Sequence, residues 1–270
     1  MPFTFRGGRL PADPSAPKVD LTPHLKADGY TVPSSVDYYS HVAAWQMLGN
    51  DEWGDCVFAG DGHVVIQQTA YGLGKAQDVT TSQVLAAYSA VTGFNPNAGP
   101  PGDNPTDNGS TVANGLEYLR TKGIGGFKIA AYGSIDVSDH QAVKRGIEDF
   151  GALSLGIEVP DSMIQQFQEG KPFTVVPGAQ IEGGHCIIAV GYDQEYVYVA
   201  TWGTVAKMTW AFWDAYVGEA HAVISSDWTT VTGLSLEAFG EEFAEIFGGG
   251  NPFVPSPSFW GRVVHWFRNL

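Results

Sequence analysis

The chain has 270 residues, of which 44% are hydrophobic and 16% are charged, so it is long enough to bury a sizeable core and does not have the composition of a disordered protein. Its formal net charge of −15 argues against binding to nucleic acid or to an anionic membrane surface, because phosphate groups are bound by clustered lysine and arginine. The start of the chain has no apolar segment of a secretion signal, and no stretch approaches the roughly 18 apolar residues that span a bilayer. We therefore expect cytoplasmic synthesis without a signal peptide, and no transmembrane segment.

Proline and the spacing of apolar residues organise the first half of the chain. Six prolines lie in residues 1–35 and predict an extended N-terminal arm, because proline fixes φ and disfavours helix in the residue before it. Helical periodicity then predicts three helices. They are a helix from Cys56 to about Tyr71, a helix capped by Thr81 or Ser82 and stopped by Gly93, and a helix capped by Ser110 and closed by Gly123.

The second half of the chain is richer in strand patterns. The predicted elements are a strand at 127–132, a helix at 142–150, a strand at 153–157, a short helix at 162–168, a hairpin of strands 185–191 and 196–202, and a strand at 220–225. Helices come early and strands late, which indicates an α+β class rather than alternating parallel units.

The composition changes after Gly233, and this change sets the predicted boundaries. We assign residues 1–35 to the Pro-rich arm, 36–233 to the main domain, 234–247 to a C-terminal helix, and 248–270 to a Gly/Pro linker with an aromatic tail. Helical spacing would place Trp260, Val263, Val264 and Phe267 of the tail on one face. Aromatic residues on a tether are typical of an interaction site, so we expect a protein partner, as in a larger assembly, to dock on the arm and on the tail from Trp260 to Phe267.

Two segments carry the residues that point to chemistry. Gly54-Asp55-Cys56 leads into an apolar helical stretch, and Gly183-Gly184-His185 leads into an apolar strand. A thiol at the start of a helix and an imidazole at the start of a strand are typical of a cysteine nucleophile and its base. The alternative is structural, because a lone cysteine is often a small buried apolar residue and a buried histidine is often held by backbone groups.

These segments resemble the papain-like cysteine peptidases over about residues 45–225. The similar segments are Gly54-Asp55-Cys56 with Val57-Phe58-Ala59 for the nucleophile, 109–124 for the mid-domain helix, 184–192 for the histidine strand, and Val199-Ala200-Thr201-Trp202-Gly203 for the strand that ends in Trp-Gly. The resemblance implies a helical layer packed against a mostly antiparallel sheet, with the site in the cleft between them. Segments 50–56, 181–185 and 201–203 are also similar to sequences of actinobacteria and their tailed phages that carry no established activity.

The resemblance also implies roles for individual residues. Cys56 would be the nucleophile and His185 the base, while Asn50 stands where the family has its oxyanion-hole glutamine and would act with the Cys56 backbone N–H. Asn50 is equally consistent with simple turn chemistry. Aligning Trp-Gly places Ala200 at the third position, whereas counting from His185 places Thr201 there. Neither is the family's Asn; Thr201 offers a hydroxyl acceptor without a charge to stabilise an imidazolium.

Several neighbouring residues are assigned weaker roles. Asp55, with Asp51 and Glu52 nearby, should raise the thiol pKa. Cys186 should point to the opposite face of its strand and into the core, and His63 should serve packing. The 103–109 loop has oxygen ligands but lacks the spacing of a calcium loop, and we predict neither a cofactor nor a metal.

Two functions remain open on the sequence alone. The first is a cysteine hydrolase that cleaves a peptide or amide bond, with Cys56, His185, Asn50 and Thr201 as its catalytic residues. The second is a papain-fold protein with weakened catalysis that serves as a structural or binding component, for example of a phage virion. The first rests on the Cys–His pair, and the second on the missing Asn and the two tethered ends.

Overall fold

The computed structural model describes residues 5–25, 30–225, 228 and 236–253. Within them, an early layer of helices packs against an antiparallel sheet, which is the predicted α+β arrangement. No helix in these ranges is long and apolar enough to cross a membrane. The predicted tail from Trp260 to Phe267 lies outside the described residues.

The helical layer consists of α1 (Cys56–Gly72), α2 (Thr81–Thr92) and α3 (Val112–Thr121). All residues of α1 except its last two are buried, because the helix lies between the sheet and the other two helices. The predicted caps are displaced by one residue, since Thr80 and Thr111 cap α2 and α3 instead of Thr81 or Ser82 and Ser110. Gly93 ends α2 with a φ of 77°, a left-handed conformation that favours glycine.

The strands of the described residues form one sheet in the order β2-β7-β3-β4-β5-β6, with the short β1 also paired to β4. Every pairing between these strands is antiparallel. The bounds are β1 Val36–Asp37, β2 Ala131–Ile135, β3 Leu153–Pro160, β4 Ile181–Tyr192, β5 Tyr196–Thr201, β6 Thr204–Thr209 and β7 Val217–Ile224. The remaining helices are α4 His140–Phe150, α5 Asp161–Gln168, α6 Trp210–Tyr216 and α7 Leu236–Phe247.

Strand β4 carries His185 and lies deep in the molecule. All its residues from His185 to Tyr192 are buried, and both α1 and α4 pack against it. A strand covered on both faces shows a continuous apolar run instead of alternation, which is why this segment is so apolar.

Two predicted strands include residues that lie in turns, and the strand predicted at 220–225 is β7, Val217–Ile224. The strand expected at 127–132 begins at Ala131, because Phe127 pairs back to Ile124 across a turn in which Gly125 and Gly126 have positive φ. The predicted strand at 196–202 ends at Thr201. Trp202 and Gly203, with φ of 44° and 74°, form a two-residue hairpin turn that leads into β6. Strand β6 and helix α6 were not predicted.

The N-terminal arm follows the surface of the body by isolated backbone pairing. Arg9 pairs with Ser110 beside α3, and Asp20 pairs with Ser134 of β2. Residues 22–25 form a short 3₁₀ helix, and α7 packs against it. The described part of the arm, residues 5–25 and 30–35, therefore contacts the domain at several separate points and contains one helical turn.

Asp61, in the middle of α1, gives a test of this buried helix. It is 1% exposed, its Oδ2 has no hydrogen-bond partner among the described residues, and burial raises the pKa of its carboxyl well above the usual value. The folded state therefore holds this proton more tightly than the unfolded chain, and stability is lost as the pH rises above about 4.

The isosteric variant Asp61→Asn removes this ionisation. We expect the variant to gain stability relative to the wild type between pH 4 and pH 8, by about 1.4 kcal/mol for each unit by which the folded-state pKa exceeds the unfolded one. Urea unfolding at both pH values measures the difference. A stability difference that is equal at pH 4 and pH 8 would contradict a raised pKa of the buried Asp61 carboxyl.

Candidate active site

Cys56 is the first residue of α1, and its side chain is buried. Burial raises the pKa of its thiol to about 12, although the backbone N–H groups of Cys186, Gly8 and Val57 lie at the sulfur and act in the opposite direction. The helix N-terminus also favours a thiolate. In the state described here, water exclusion is the larger effect, and the thiol is protonated at neutral pH.

His185 is held on β4 by two contacts that leave one ring nitrogen available. Its Nε2 lies 2.9 Å from Thr201 Oγ1, and the Trp202 ring stacks on the imidazole with the centroids 4.7 Å apart. Nδ1 is buried and has no hydrogen-bond partner among the described residues. Of the two candidates for the third position, the structure gives the contact to Thr201 and not to Ala200.

The His185 imidazole is buried from water as completely as the Cys56 thiol. Burial lowers the pKa of His185 to about 3, and the nearby His63 adds to this effect. At neutral pH the ring is therefore uncharged, which is the form that accepts a proton.

Cys56 and His185 line one small cavity, between the start of α1 and the middle of the sheet. His63, for which only a packing role was expected, reaches this cavity, and its Nε2 lies 2.9 Å from the Gln46 carbonyl oxygen. The other lining residues are Met47, Asn50, Ala59, Gly60, Cys186, Thr201 and Trp202.

Cys186 also contributes to this wall, although its thiol is buried 3.6 Å from Ser154 Oγ, as a core position would require. Both cysteines are free thiols.

Asn50 lies at the edge of the cavity with its amide partly engaged. Its Nδ2 donates to the Trp53 carbonyl oxygen at 3.1 Å, and the Arg6 carbonyl oxygen lies 3.5 Å away. The second distance is long for a hydrogen bond. The Asn50 amide thus lies next to the Arg6 carbonyl oxygen in the cleft. It would have to turn away from Trp53 to donate a strong hydrogen bond to a peptide carbonyl.

Of the acidic residues beside the thiol, Asp55 raises the thiol pKa as expected, with burial as the larger cause. Asp51 and Glu52 are exposed, whereas Asp55 is buried. Burial also raises the pKa of the Asp55 carboxyl well above its ordinary value. To the extent that this carboxyl is protonated, its repulsion of a thiolate is reduced.

Residues 5–10 of the arm run through the cleft beside Cys56. Leu10 N–H donates to Ser110 O and Ser110 N–H to Gly8 O, both at 2.8 Å, while Arg9 N–H donates to Gly184 O at 3.3 Å. The Phe5 ring packs edge-on against His185 and Trp202, at centroid distances of 5.8 Å and 6.0 Å. The arm thus joins the loop before α3 to the start of β4 and closes the cavity from solvent.

Glycines on both sides make this close approach possible. A Cβ on Gly8 would lie 1.8 Å from Gly54 O, one on Gly109 would lie 2.1 Å from Gly8 O, and one on Gly184 would lie 2.4 Å from Arg9 O. Gly184, directly before His185, therefore admits a peptide backbone, and here that backbone is the arm.

Gly8, Gly109 and Ser110 were not predicted as residues of the site. The only signal for them is the pairing of small residues, Gly7-Gly8 and Gly109-Ser110.

The 103–109 loop supports the site and shows no cation-binding geometry. Asp107 accepts hydrogen bonds from the Gly54 N–H at 3.1 Å and from the Tyr88 hydroxyl at 2.7 Å. Among the described residues, no group of three or more His, Cys, Asp or Glu side chains is placed to hold a metal ion.

No protein-family model matches the chain, and no curated protein matches it in sequence. Its fold is nevertheless similar to solved structures. Xylellain, a cysteine protease from Xylella fastidiosa, superposes with a TM-score of 0.62 at 13% identity, covering 82% of this chain and 96% of that one. Procathepsin B S9 from Trypanosoma congolense gives 0.57 at 12% identity, over 81% and 86% of the two chains. The Carica candamarcensis cysteine protease CMS1MS2 gives 0.51 at 15%, over 72% and 99%. At these identities the likeness establishes the fold, and the chain has the papain-like fold predicted from its sequence.

Proposed function

We propose that this protein is a cysteine hydrolase that cleaves a peptide or amide bond, and that its own residues 5–10 hold it in a closed state. The observation that carries the proposal is the setting of His185. One ring nitrogen is held by Thr201 under Trp202, and the other is without a hydrogen-bond partner among the described residues, in the cavity shared with Cys56.

The chemistry follows from this arrangement once the arm has left. With the Nε2 proton donated to Thr201, Nδ1 carries a lone pair and takes the proton of the Cys56 thiol. The thiolate attacks the carbonyl carbon, and Asn50 Nδ2 and the Cys56 N–H stabilise the oxyanion. His185 then gives its proton to the leaving amine, and water hydrolyses the thioester and regenerates the thiol.

The arm contacts support a closed state rather than self-cleavage. The Gly8 N–H is the group of the arm that lies at the Cys56 sulfur. A sulfur nucleophile attacks a carbonyl carbon from above the peptide plane, whereas a sulfur that accepts from the N–H lies within that plane, so this pose is not one that reacts. Burial also keeps both partners uncharged, as the opposite pKa shifts of Cys56 and His185 indicate, and Phe5 contributes to it by packing against His185.

The second candidate is a papain-fold binding or structural protein, with a phage particle as its proposed assembly. Two observations favour it: the neutral thiol and imidazole, and Thr201 at the third position, where the resemblance would place an Asn. The reactivity of Cys56 after displacement of the arm separates the two candidates.

The variant Gly8→Ala should open the site. Its Cβ would lie 1.8 Å from the backbone oxygen of Gly54, which cannot rotate away, so residues 7–9 have to withdraw. We expect iodoacetamide to label Cys56 at pH 8 about tenfold faster or more than in the wild type, because labelling follows the open fraction. Peptide mapping by mass spectrometry distinguishes Cys56 from Cys186, and fluorogenic peptide amides and denatured casein report hydrolysis.

Gly7→Ala is the matched control. Its Cβ would lie 3.0 Å from the movable Phe5 ring and 3.1 Å from Gly184 O, so a small shift accommodates it and labelling should stay near the wild-type rate. Adding Cys56→Ser to Gly8→Ala should abolish hydrolysis. An inert Cys56 in Gly8→Ala, in a protein with native near-UV circular dichroism, would reject the enzyme and leave the binding protein.

The pH profile of labelling should report the same closure. With a thiol pKa of about 12, roughly 0.1% of closed molecules carry a thiolate at pH 9. We expect the wild-type rate to rise about tenfold per pH unit up to pH 10, whereas Gly8→Ala should level off at lower pH because water reaches the pair.

The folded state also loses stability as the pH rises from about 9 towards 12, since it holds the thiol proton more tightly than the unfolded chain. The circular dichroism must therefore be checked at each pH. Identical profiles for the two proteins would show that the arm does not shield the thiol.

Thr201 can be tested with two nearly isosteric changes. In the Gly8→Ala background, Thr201→Val removes the oxygen that lies 2.9 Å from His185 Nε2, while Thr201→Ser keeps it. We expect the valine variant to hydrolyse and to be labelled about 2- to 12-fold more slowly, the value of one neutral hydrogen bond, and the serine variant to remain close to the parent. Equal rates for valine and serine would show that the hydroxyl does not position the imidazole.

A further inference from the structure

The arm is bound in the cleft by more than its backbone. The Arg9 guanidinium reaches Glu219 on β7, with Nε and Nη2 at 3.0 Å and 2.7 Å from the same carboxylate oxygen. The other oxygen lies 3.2 Å from His221 Nε2. The Arg9 and Glu219 side chains are only 11% and 12% exposed, so this ion pair lies mostly within the protein.

The position before Arg9 accepts only glycine. At Gly8 the added Cβ would lie 1.8 Å from Gly54 O and 2.3 Å from the Gly54 carbonyl carbon, both of them backbone atoms at the start of the segment that holds Cys56. One residue earlier, at Gly7, the nearest atom would be a movable ring carbon of Phe5 at 3.0 Å. The steric requirement for glycine therefore applies at position 8, the residue whose N–H lies at the Cys56 sulfur.

We propose that the cleft contains a subsite for peptides in which a glycine is followed by a basic residue, and that Glu219 selects the basic side chain. This inference deepens the proposed function and rests on it, because it names the ligand class of the same cleft. A peptide that takes the place of the arm presents an N–H to the sulfur, as Gly8 does, so it acts as a competitive ligand and is not cleaved in that pose.

The ligand class follows from complementarity. Ser110 and Gly184 supply backbone hydrogen bonds that any peptide can make, so they provide affinity without selectivity. The steric wall at Gly54 excludes every side chain at one position, and the buried carboxylate requires a cation at the next one. Together they define Gly-Arg or Gly-Lys as the recognised pair.

The test measures binding in a protein that cannot react. In full-length chain carrying Gly8→Ala and Cys56→Ser, the fluorescence anisotropy of a labelled peptide with the sequence of residues 5–10 gives its Kd. We expect replacement of its second glycine by alanine to weaken binding at least about 100-fold, through the backbone clash. Replacement of the arginine that follows by citrulline, its uncharged isostere, should weaken binding about 10- to 100-fold.

The Glu219→Gln variant distinguishes recognition of the basic side chain by Glu219 from a purely structural role of this residue. In this variant the arginine and citrulline peptides should bind within about threefold of each other, because the charge that distinguishes them has gone. Glu158→Gln, the same change at an exposed position of the neighbouring strand β3, should preserve the full preference for arginine.

Several results would overturn the proposal. They are equal binding of the glycine and alanine peptides, an equal loss for arginine and citrulline on Glu219→Gln, and no peptide binding although Cys56 is accessible in Gly8→Ala. The proposal would also be overturned if residues 5–10 stayed bound in the cleft of Gly8→Ala, since the cleft would then not require glycine at this position. Selective binding without any hydrolysis by the parent Gly8→Ala protein would reject the enzyme alone, and unselective hydrolysis would reject the subsite alone.

Discussion

The exclusion of water from the space between Cys56 and His185 governs the rest of the site. The imidazole is fixed between the Thr201 hydroxyl and the Trp202 ring, and Phe5 covers it from the side of the arm. In this dry space, charge is costly on either partner, so the thiol keeps its proton and the imidazole stays neutral. The helix N-terminus and three backbone N–H groups favour a thiolate, but they do not outweigh the loss of water.

The same closure explains why the arm and the body are rich in glycine where they meet. A peptide can lie between the loop before α3 and the start of β4 only if neither wall projects a side chain there, and Gly109 and Gly184 meet that condition. Gly8 meets it from the side of the arm. These contacts are between backbone atoms, so their free energy depends on the close fit of the two segments and not on side-chain chemistry. The ion pair of Arg9 and Glu219 adds a charged contact at one end.

Local sequence signals predict the elements that local forces determine. Helix α1, helix α4 and strand β4 follow from apolar spacing, and Gly93 ends α2 as expected because a left-handed residue is needed there. Strand β6 was missed because its start depends on the positive φ of Trp202, a residue type that does not signal a turn. Helix α6, which Thr209 caps, follows directly after that strand and was missed with it. The choice between Ala200 and Thr201 could not be made from sequence because it depends on the pairing of β5 with β4. The route of the arm depends on contacts between residues about 100 to 210 apart in the chain, which no local pattern encodes.

A neutral third residue suits a site that is dry when closed. A buried carboxylate in place of Thr201 would need a charged imidazole to compensate it, because an unpaired charge without water is costly. A carboxylate–imidazolium pair would also be covered less favourably by the uncharged Phe5 ring. With the Thr201 hydroxyl, the closed site carries no charge on Cys56, His185 or Thr201. The arm can therefore cover the site without removing water from a charged group. Under the proposed function, the cost would fall on the open site, where an imidazolium formed during catalysis would have no anionic partner in Thr201 and would depend on the Cys56 thiolate itself. Removal of the arm would then do two things at once: it would admit the substrate, and it would bring the water that stabilises the thiolate–imidazolium pair.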